Sequence, residues 1–246
     1  QGLPDAPDLM LASMGNYVAN TDSLFEALRI DAEDPDSKHD MGTNIAPYFA
    51  ARKQAGVYDF HDNDVPGANE QDRDYWRDVG TLKAYWQAHM ELLNPDSEMT
   101  LYNPQWPVRT VSFADPPSYS YPADGYNCTV NRVMLAEGSR ILGSSVTDSV
   151  LSRNCLIETG SVIEKSIIGH DVIIGRNCRI KRAIIDAHNN IPDNTVIGED
   201  PEEDARSYYV DPKSGLVVLG IPRIYYQKGT TADTENTTQD DDIDPL

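Results

Sequence analysis

The chain has 246 residues, 39% of them apolar, which suffices for the core of one large domain or two ordinary ones and excludes a wholly disordered chain. Asp and Glu total 40 against 20 for Lys and Arg, a net charge of −20. Such a surface repels phosphate backbones and anionic headgroups, so neither nucleic acid nor a membrane is the expected partner. No apolar run approaches the roughly 18 residues of a membrane-crossing helix, and the first residues lack the basic and apolar regions of a signal peptide, so the expected location is the cytoplasm. Cys128, Cys155 and Cys178 are odd in number, widely spaced and without a C-x-x-C, which describes neither a disulfide framework nor a zinc site.

The opening Gln1-Gly-Leu-Pro-Asp-Ala-Pro, without an initiator Met, reads as a linker cut from something longer. Residues 11 to 110 read as mixed α and β. Leu11 to Val18 is a semi-apolar run suited to a strand, followed by an N-cap among Ala19-Asn20-Thr21-Asp22 and a helix over Leu24 to Leu28. Asn44 to Ala55 carries Ile45, Tyr48, Phe49 and Ala50 at helical spacing, with Gly56 as its C-cap and a strand over Gly56 to Phe60 behind it. Order resumes at Tyr75 to Val79, and Thr81 to Leu93 places Leu82, Tyr85, Trp86, Met90 and Leu93 on one helical face. Strands alternating with helices predict an α/β layer, too thin at this length to stand without a covering partner. Residues 104 to 127 hold Pro104, Pro107, Pro116, Pro117 and Pro122, an extended connector and the domain boundary.

From Leu135 to Gly198 the sequence repeats. Leu or Ile falls at 151, 157, 163, 168, 174, 180, 185, 191 and 197, and the position four later is Cys155, Ser161, Ile167, Val172, Cys178, Ile184, Asn189 or Thr195. Hexapeptide periods of this kind describe a parallel β-helix in which three units make a coil of 17 residues, since 151, 168 and 185 are that far apart. Cys155 and Cys178 then sit in the second inward column as small buried hydrophobes. An acidic turn over Gly198 to Tyr208 leads to a last strand at Gly215 to Gly220, and residues 230 to 246, with six acids and no base, are expected to be a disordered tail.

Several catalytic constellations are missing: no Gly-rich phosphate loop, no H-E-x-x-H and no G-x-S-x-G. His39, His61, His89, His170 and His188 are scattered without ligand spacing. What remains is carboxylates beside aromatics, His39-Asp40 and Tyr75-Trp76-Arg77-Asp78. A carboxylate placed like Asp78, ahead of a Gly-Thr helix start, can share a hard cation such as Mg²⁺ with substrate phosphates, or simply serve the helix dipole and cap.

Leu11-Ala-Ser-Met-Gly-Asn-Tyr17, Ser37-Lys-His-Asp-Met-Gly42, Tyr75-Trp-Arg-Asp-Val-Gly-Thr-Leu-Lys-Ala-Tyr-Trp86, Trp106-Pro-Val-Arg-Thr110 and Ile197-Gly-Glu-Asp-Pro-Glu-Glu-Asp-Ala-Arg206 together resemble the C-terminal half of bacterial ADP-glucose pyrophosphorylase (glucose-1-phosphate adenylyltransferase), in order, over roughly residues 8 to 226. The resemblance implies the last part of a Rossmann-like nucleotidyltransferase domain (1–103), the connector (104–127), a left-handed parallel β-helix with a terminal strand (128–229) and the acidic tail (230–246). It implies attack of glucose 1-phosphate on the α-phosphorus of ATP with Mg²⁺ offsetting charge, in glycogen or α-glucan synthesis, and an allosteric homotetramer. Residue by residue, Ser13 and Tyr17 line the sugar-phosphate pocket, Asp40 accepts from glucose hydroxyls with Met41 beside it, Trp76 packs on the sugar, and Asp78 is one of two metal-holding aspartates.

The family usually has Phe where Met41 stands, and the Thr43-Asn44 that follows also departs from its pattern. Its basic effector-region position is Ala187 here, and the arginines of its terminal strand are largely Ile221, Pro222, Tyr225 and Tyr226 with Arg223 nearby, so effector identity does not carry over. The family's nucleotide loop, first metal aspartate and sugar-phosphate lysine lie ahead of this chain's first residue, so the chain alone is expected to be inactive. Two alternatives remain: a non-catalytic β-helix module serving a separate catalytic subunit, and a hexapeptide acyltransferase using His170 or His188.

Overall fold

The computed structural model describes Asp8, residues 12–68 and residues 75–222. The expected acidic tail, Arg223, Tyr225, Tyr226 and the start of the Leu11 run lie outside the described residues. The chain divides into two compact units, Gln1–Asn63 and Asp64–Leu246.

The first unit is helical. Asn20 caps α1 (Thr21–Ala32) through its side-chain oxygen, which accepts from the Asp22 and Ser23 N–H groups, so the helix begins at the expected cap and runs past the expected end at Leu28. Asp40 caps a wide π turn over Met41–Ile45 that continues into α2 (Ala46–Ala51). Helical structure here thus starts and stops earlier than Asn44 to Ala55. Arg52 ends α2, Lys53 turns out at φ 58°, and Gly56 is no cap. Neither expected strand forms: residues 12–20 and 54–59 are irregular, and Phe60–Asp62 is a 3₁₀ turn capped by Asp59. An extended segment becomes a strand only by pairing, and among the described residues of this unit no second extended segment pairs with either.

In the second unit Tyr75–Gly80 is irregular and leads into α3 (Leu82–Glu91), capped by Thr81. The solenoid follows: β1 (Tyr119–Tyr121), β2 (Thr129–Leu135), β3 (Arg140–Leu142), β4 (Ser145–Leu151), β5 (Leu156–Ile157), β6 (Val162–Glu164), β7 (Ile167–Ile168), β8 (Ile173–Ile174), β9 (Arg179–Lys181), β10 (Ala183–Ile185), β11 (Asn190–Ile191), β12 (Val196–Ile197), α4 (Pro201–Asp204), β13 (Tyr209–Val210) and β14 (Val217–Leu219). The connector is extended as expected, and its β1 already forms a rung by pairing with β3.

Pairing is parallel between strands one coil apart, and three inward columns result. Ile141, Ile157, Ile174 and Ile191 stack along one face; Val146, Ile163, Ile180 and Ile197 along the second; Leu151, Ile168, Ile185 and Leu219 along the third. Of these, all but Leu219 are buried. β13 folds back antiparallel on β14 and covers the last edge of that face.

The second inward column differs from the expected one at the five-residue steps. There the buried small positions are Ser149, Ser166 and Ala183, two before each aliphatic residue, while Ile167 and Ile184 are buried one position later. These serines form ladders. The Ser166 N–H donates to Ser149 Oγ at 3.1 Å and the Ala183 N–H to Ser166 Oγ at 3.2 Å. On another face the Ser161 N–H donates to Ser144 Oγ at 3.1 Å and the Cys178 N–H to Ser161 Oγ at 2.9 Å. Every link joins residues one coil apart, so each buried hydroxyl satisfies a turn-end amide that would otherwise be orphaned.

The corners carry a rule of their own. Asp148, Asn154, Gly160, Lys165, Asp171, Asn177, Arg182, His188 and Asn194, each three before an inward aliphatic, all have φ between 48° and 78°. Gly, Asn and Asp enter this left-handed region most readily, which is why they fill six of the nine.

Helix α3 joins the solenoid at one corner column. Trp86 Nε1 donates to the Lys165 carbonyl at 2.8 Å, and the Arg182 guanidinium sits 5.2 Å from the Trp86 ring centre.

Candidate functional site

Ser13, Tyr17, Asp40 and Met41 belong to the first unit, Trp76 and Asp78 to the second. In the first, Gly15 at φ 78° turns the chain between Ser13 and Tyr17, and their hydroxyls meet at 2.7 Å. Tyr17 is 42% exposed, so this pair presents to solvent two oxygens that donate or accept. A side-chain carbon at Gly42 would lie 3.5 Å from Asp40 Oδ1 and 3.7 Å from the Tyr17 hydroxyl, so both groups flank the open space over that glycine. The structure therefore brings Ser13, Tyr17 and Asp40 into one neighbourhood, with exposed Met41 at its side.

Asp40 is oriented by its own turn. Its Oδ1 accepts from the Thr43 N–H at 2.7 Å and from the Thr43 hydroxyl. Both the Asn44 and Ile45 N–H groups go to its carbonyl, at 2.9 and 3.3 Å, which widens the turn ahead of Pro47. The Thr43 hydroxyl first, then the Thr43 amide, hold the Asp40 carboxyl below the usual range, so it is an anion and a pure acceptor at neutral pH. The residue before it, His39, sits at φ 53° and is tied by Nδ1 to Asp31 Oδ2 at 2.9 Å. Ser37 donates to the other Asp31 oxygen at 2.5 Å. Sequence reading missed this tether, which joins residues eight apart through a strained backbone that no local pattern announces.

In the second unit, exposed Asp78 accepts from the Gly80 N–H at 2.8 Å through Oδ1, leaving Oδ2 toward solvent. A Cβ at Gly80 would stand 3.0 Å from that Oδ1, so the close turn favours glycine. The helix cap is Thr81, whose Oγ1 accepts from the Ala84 N–H at 3.2 Å; Asp78 is thus not consumed in capping. Arg77 anchors the motif: it pairs with Glu91 Oε2 at 3.3 Å and Glu98 Oε2 at 3.1 Å and lies 5.1 Å from the Tyr75 ring centre. Trp76 is left 40% exposed.

Asp78 offers a hard cation one carboxylate oxygen, a donor that suits Mg²⁺ but cannot hold it alone. Among the described residues, the one His/Cys/Asp/Glu group close enough to hold an ion is instead His170, Asp171 and His188, in the β-helix. Two of the histidines scattered in sequence, His170 and His188, are thus brought together by successive coils. The cysteines behave as expected: Cys155 and Cys178 are buried, and burial pushes the Cys155 thiol up to about 11.

Residues 4–95 match the family model described as Nucleotidyl transferase, and residues 116–219 match GlmU-like, C-terminal hexapeptide. A glucose-1-phosphate adenylyltransferase of Bifidobacterium adolescentis is 45% identical over 235 residues, covering 94% of this chain and 55% of that protein. The chain thus resembles the glucose-1-phosphate adenylyltransferases. The proteins of that name from Corynebacterium diphtheriae and Photobacterium profundum are each 42% identical over 219 residues, 89% of this chain and 50% and 53% of theirs. The chain thus spans about half the length of the curated relatives it matches. No helix among its described residues is long and apolar enough to cross a membrane.

Proposed function

We propose that this chain serves adenylyl transfer to glucose 1-phosphate, forming ADP-glucose and pyrophosphate from ATP in the cytoplasm. The observation that carries the reading is the 42–45% identity over about nine-tenths of the chain to proteins named for that reaction. Phosphoryl-type transfer rests on positioning and charge neutralisation, and the residues available suit that task. Ser13 and Tyr17 offer paired hydroxyls to phosphate or sugar oxygens, and ionised Asp40 accepts from sugar hydroxyls with Met41 alongside. Trp76 offers a ring face to the sugar. Asp78 contributes an oxygen to Mg²⁺, which when bound supplies neutralisation of the charge developing on the phosphates. Apolar side chains pointing outward from the rungs, Val162, Ile173 and Val196 at 39%, 41% and 46% exposed, support assembly through the β-helix into a homotetramer.

ATP needs a phosphate cradle, and no Gly-rich loop is present in this sequence. The chain alone is therefore expected to make no ADP-glucose. Joined behind the part of the Bifidobacterium adolescentis enzyme with which it does not align, it should do so. A folded fusion that binds glucose 1-phosphate yet transfers nothing would overturn the reading, and a chain that activates a separate complete enzyme without any transfer of its own would favour a regulatory module.

A further inference from the structure

The coil period places side chains 17 residues apart at the same corner, and one corner column gathers a set of metal donors. Asn154, Asp171 and His188 occupy successive left-handed corners of one edge, with His170 just before Asp171. His170 Nδ1 lies 2.9 Å from Asp171 Oδ2, and His188 Nδ1 lies 3.6 Å from the same oxygen. The two rings meet edge to face with centres 4.7 Å apart. Asn154 Nδ2 donates to the other carboxylate oxygen at 2.6 Å, which fixes the rotation that turns Oδ2 toward both rings. One ligand atom from each residue lies within 4.8 Å of the others, and all three residues are half-buried.

We propose that His170, Asp171 and His188 form a binding site for a divalent transition-metal ion of the zinc type, tying two successive coils of the β-helix together. Two imidazoles and a carboxylate are a borderline donor set that suits Zn²⁺, Co²⁺ or Ni²⁺ and not Mg²⁺ or Ca²⁺. A tetrahedral ion with ligands at about 2.0–2.1 Å keeps them roughly 3.3 Å apart, so the widest pair closes by about 1.5 Å, within reach of small rotations of the imidazole rings. Partial exposure leaves the fourth position to water.

Charge is arranged to permit this. Asn154 holds one oxygen of the Asp171 carboxylate and leaves the other for the ring nitrogens. Arg153 competes, with one guanidinium nitrogen 3.3 Å from Asp171 Oδ2. The same guanidinium is also 3.3 Å from Asp115 Oδ2 and 4.0 Å from the Phe113 ring centre, so it keeps two anchors when an ion takes its place at Asp171. Removing this competing cation should tighten the site.

The test titrates the metal-free 246-residue chain with Zn²⁺ by calorimetry and with Co²⁺ by visible absorption. One ion per chain is expected, with a Co²⁺ spectrum of nitrogen and oxygen ligands and no sulfur-to-metal charge transfer. His170→Gln and His188→Asn should each weaken binding at least tenfold; Asn suits the left-handed corner at 188, as it does at 154, so circular dichroism should show an intact fold. Arg153→Gln should strengthen binding several-fold, and His89→Gln, outside the cluster, should leave it unchanged. Unaltered binding in the His170→Gln/His188→Asn double variant, a thiolate spectrum, or no binding by the folded chain would each overturn the proposal.

Discussion

Replacing Ile174 by Ala tests the inward columns most sharply. Ile174 is fully buried on β8, stacked between Ile157 and Ile191 of the adjacent coils. The substitution deletes three carbons, about 2.4 kcal/mol of transfer free energy at ~0.8 kcal/mol per carbon. The cavity adds to this, because neighbours pinned by rung hydrogen bonds on both sides collapse little, giving about 3–4 kcal/mol. Ile173, one residue earlier in the same strand and 41% exposed, faces outward, and its replacement by Ala should cost under ~1 kcal/mol. Urea unfolding followed by the β-sheet dichroism reads the difference: with a slope near 2 kcal/mol per M, the Ile174→Ala midpoint should fall by about 1.5 M and the Ile173→Ala midpoint by less than ~0.5 M. Equal losses, or a larger one at Ile173, would refute the assignment of inner and outer faces.

At Gly198, φ 84°, a Cβ would stand 1.7 Å from the Lys181 carbonyl oxygen, so Gly198→Ala should disrupt the β9–β12 rung and expose residues 196–204 to limited proteolysis. The corner rule makes Asn177→Gly nearly neutral and Asn177→Ala destabilising by about 1 kcal/mol in the same urea assay, since φ there is 54°. Alkylation at pH 8 should modify Cys128 first and spare Cys155, whose buried thiol stays protonated at that pH. Burial raises the Asp204 carboxyl, with Asp200, Glu199 and Glu203 adding to the effect. Its contribution therefore favours the fold below the unfolded value of 3.8 and is lost as pH rises through the folded value. Asp204→Asn, which keeps an acceptor for the Gly198 N–H, should raise the melting temperature at pH 7 by a margin that shrinks toward pH 4.

What the sequence disclosed, and what it hid, follows from the range of the forces involved. The inward aliphatic columns were legible because each rung repeats the same burial every five or six residues. The corner rule is hidden in the sequence because Lys165, Arg182 and His188 interrupt an otherwise Asn/Asp/Gly column. The second inward column was misread at Ile167 and Ile184, where a shorter step shifts the inward position to Ser166 and Ala183. The cap residues Asn20 and Thr81 mark their helices locally, whereas strands at Leu11–Val18 and Gly56–Phe60 needed pairing partners that pattern alone does not supply. Ser13, Tyr17, Asp40, Trp76 and Asp78 are singled out by a family likeness alone, since no local pattern marks them; the structure adds that Tyr17 and Trp76 are exposed and that the Asp40 carboxylate is fixed by Thr43. The meeting of His170 with His188 required the 17-residue coil to be folded before it could be seen.

Within the proposed function, the part most directly open to measurement is Asp78 as a metal-holding carboxylate. The measurement is ADP-glucose formation against Mg²⁺ concentration by the fusion described above, with and without Asp78→Asn, which keeps the hydrogen bond from Gly80 while removing the charge. Turnover is expected to fall at least a hundredfold, with the Mg²⁺ requirement shifted upward and glucose 1-phosphate binding little changed. Full turnover and an unshifted Mg²⁺ dependence in the Asp78→Asn protein would contradict it.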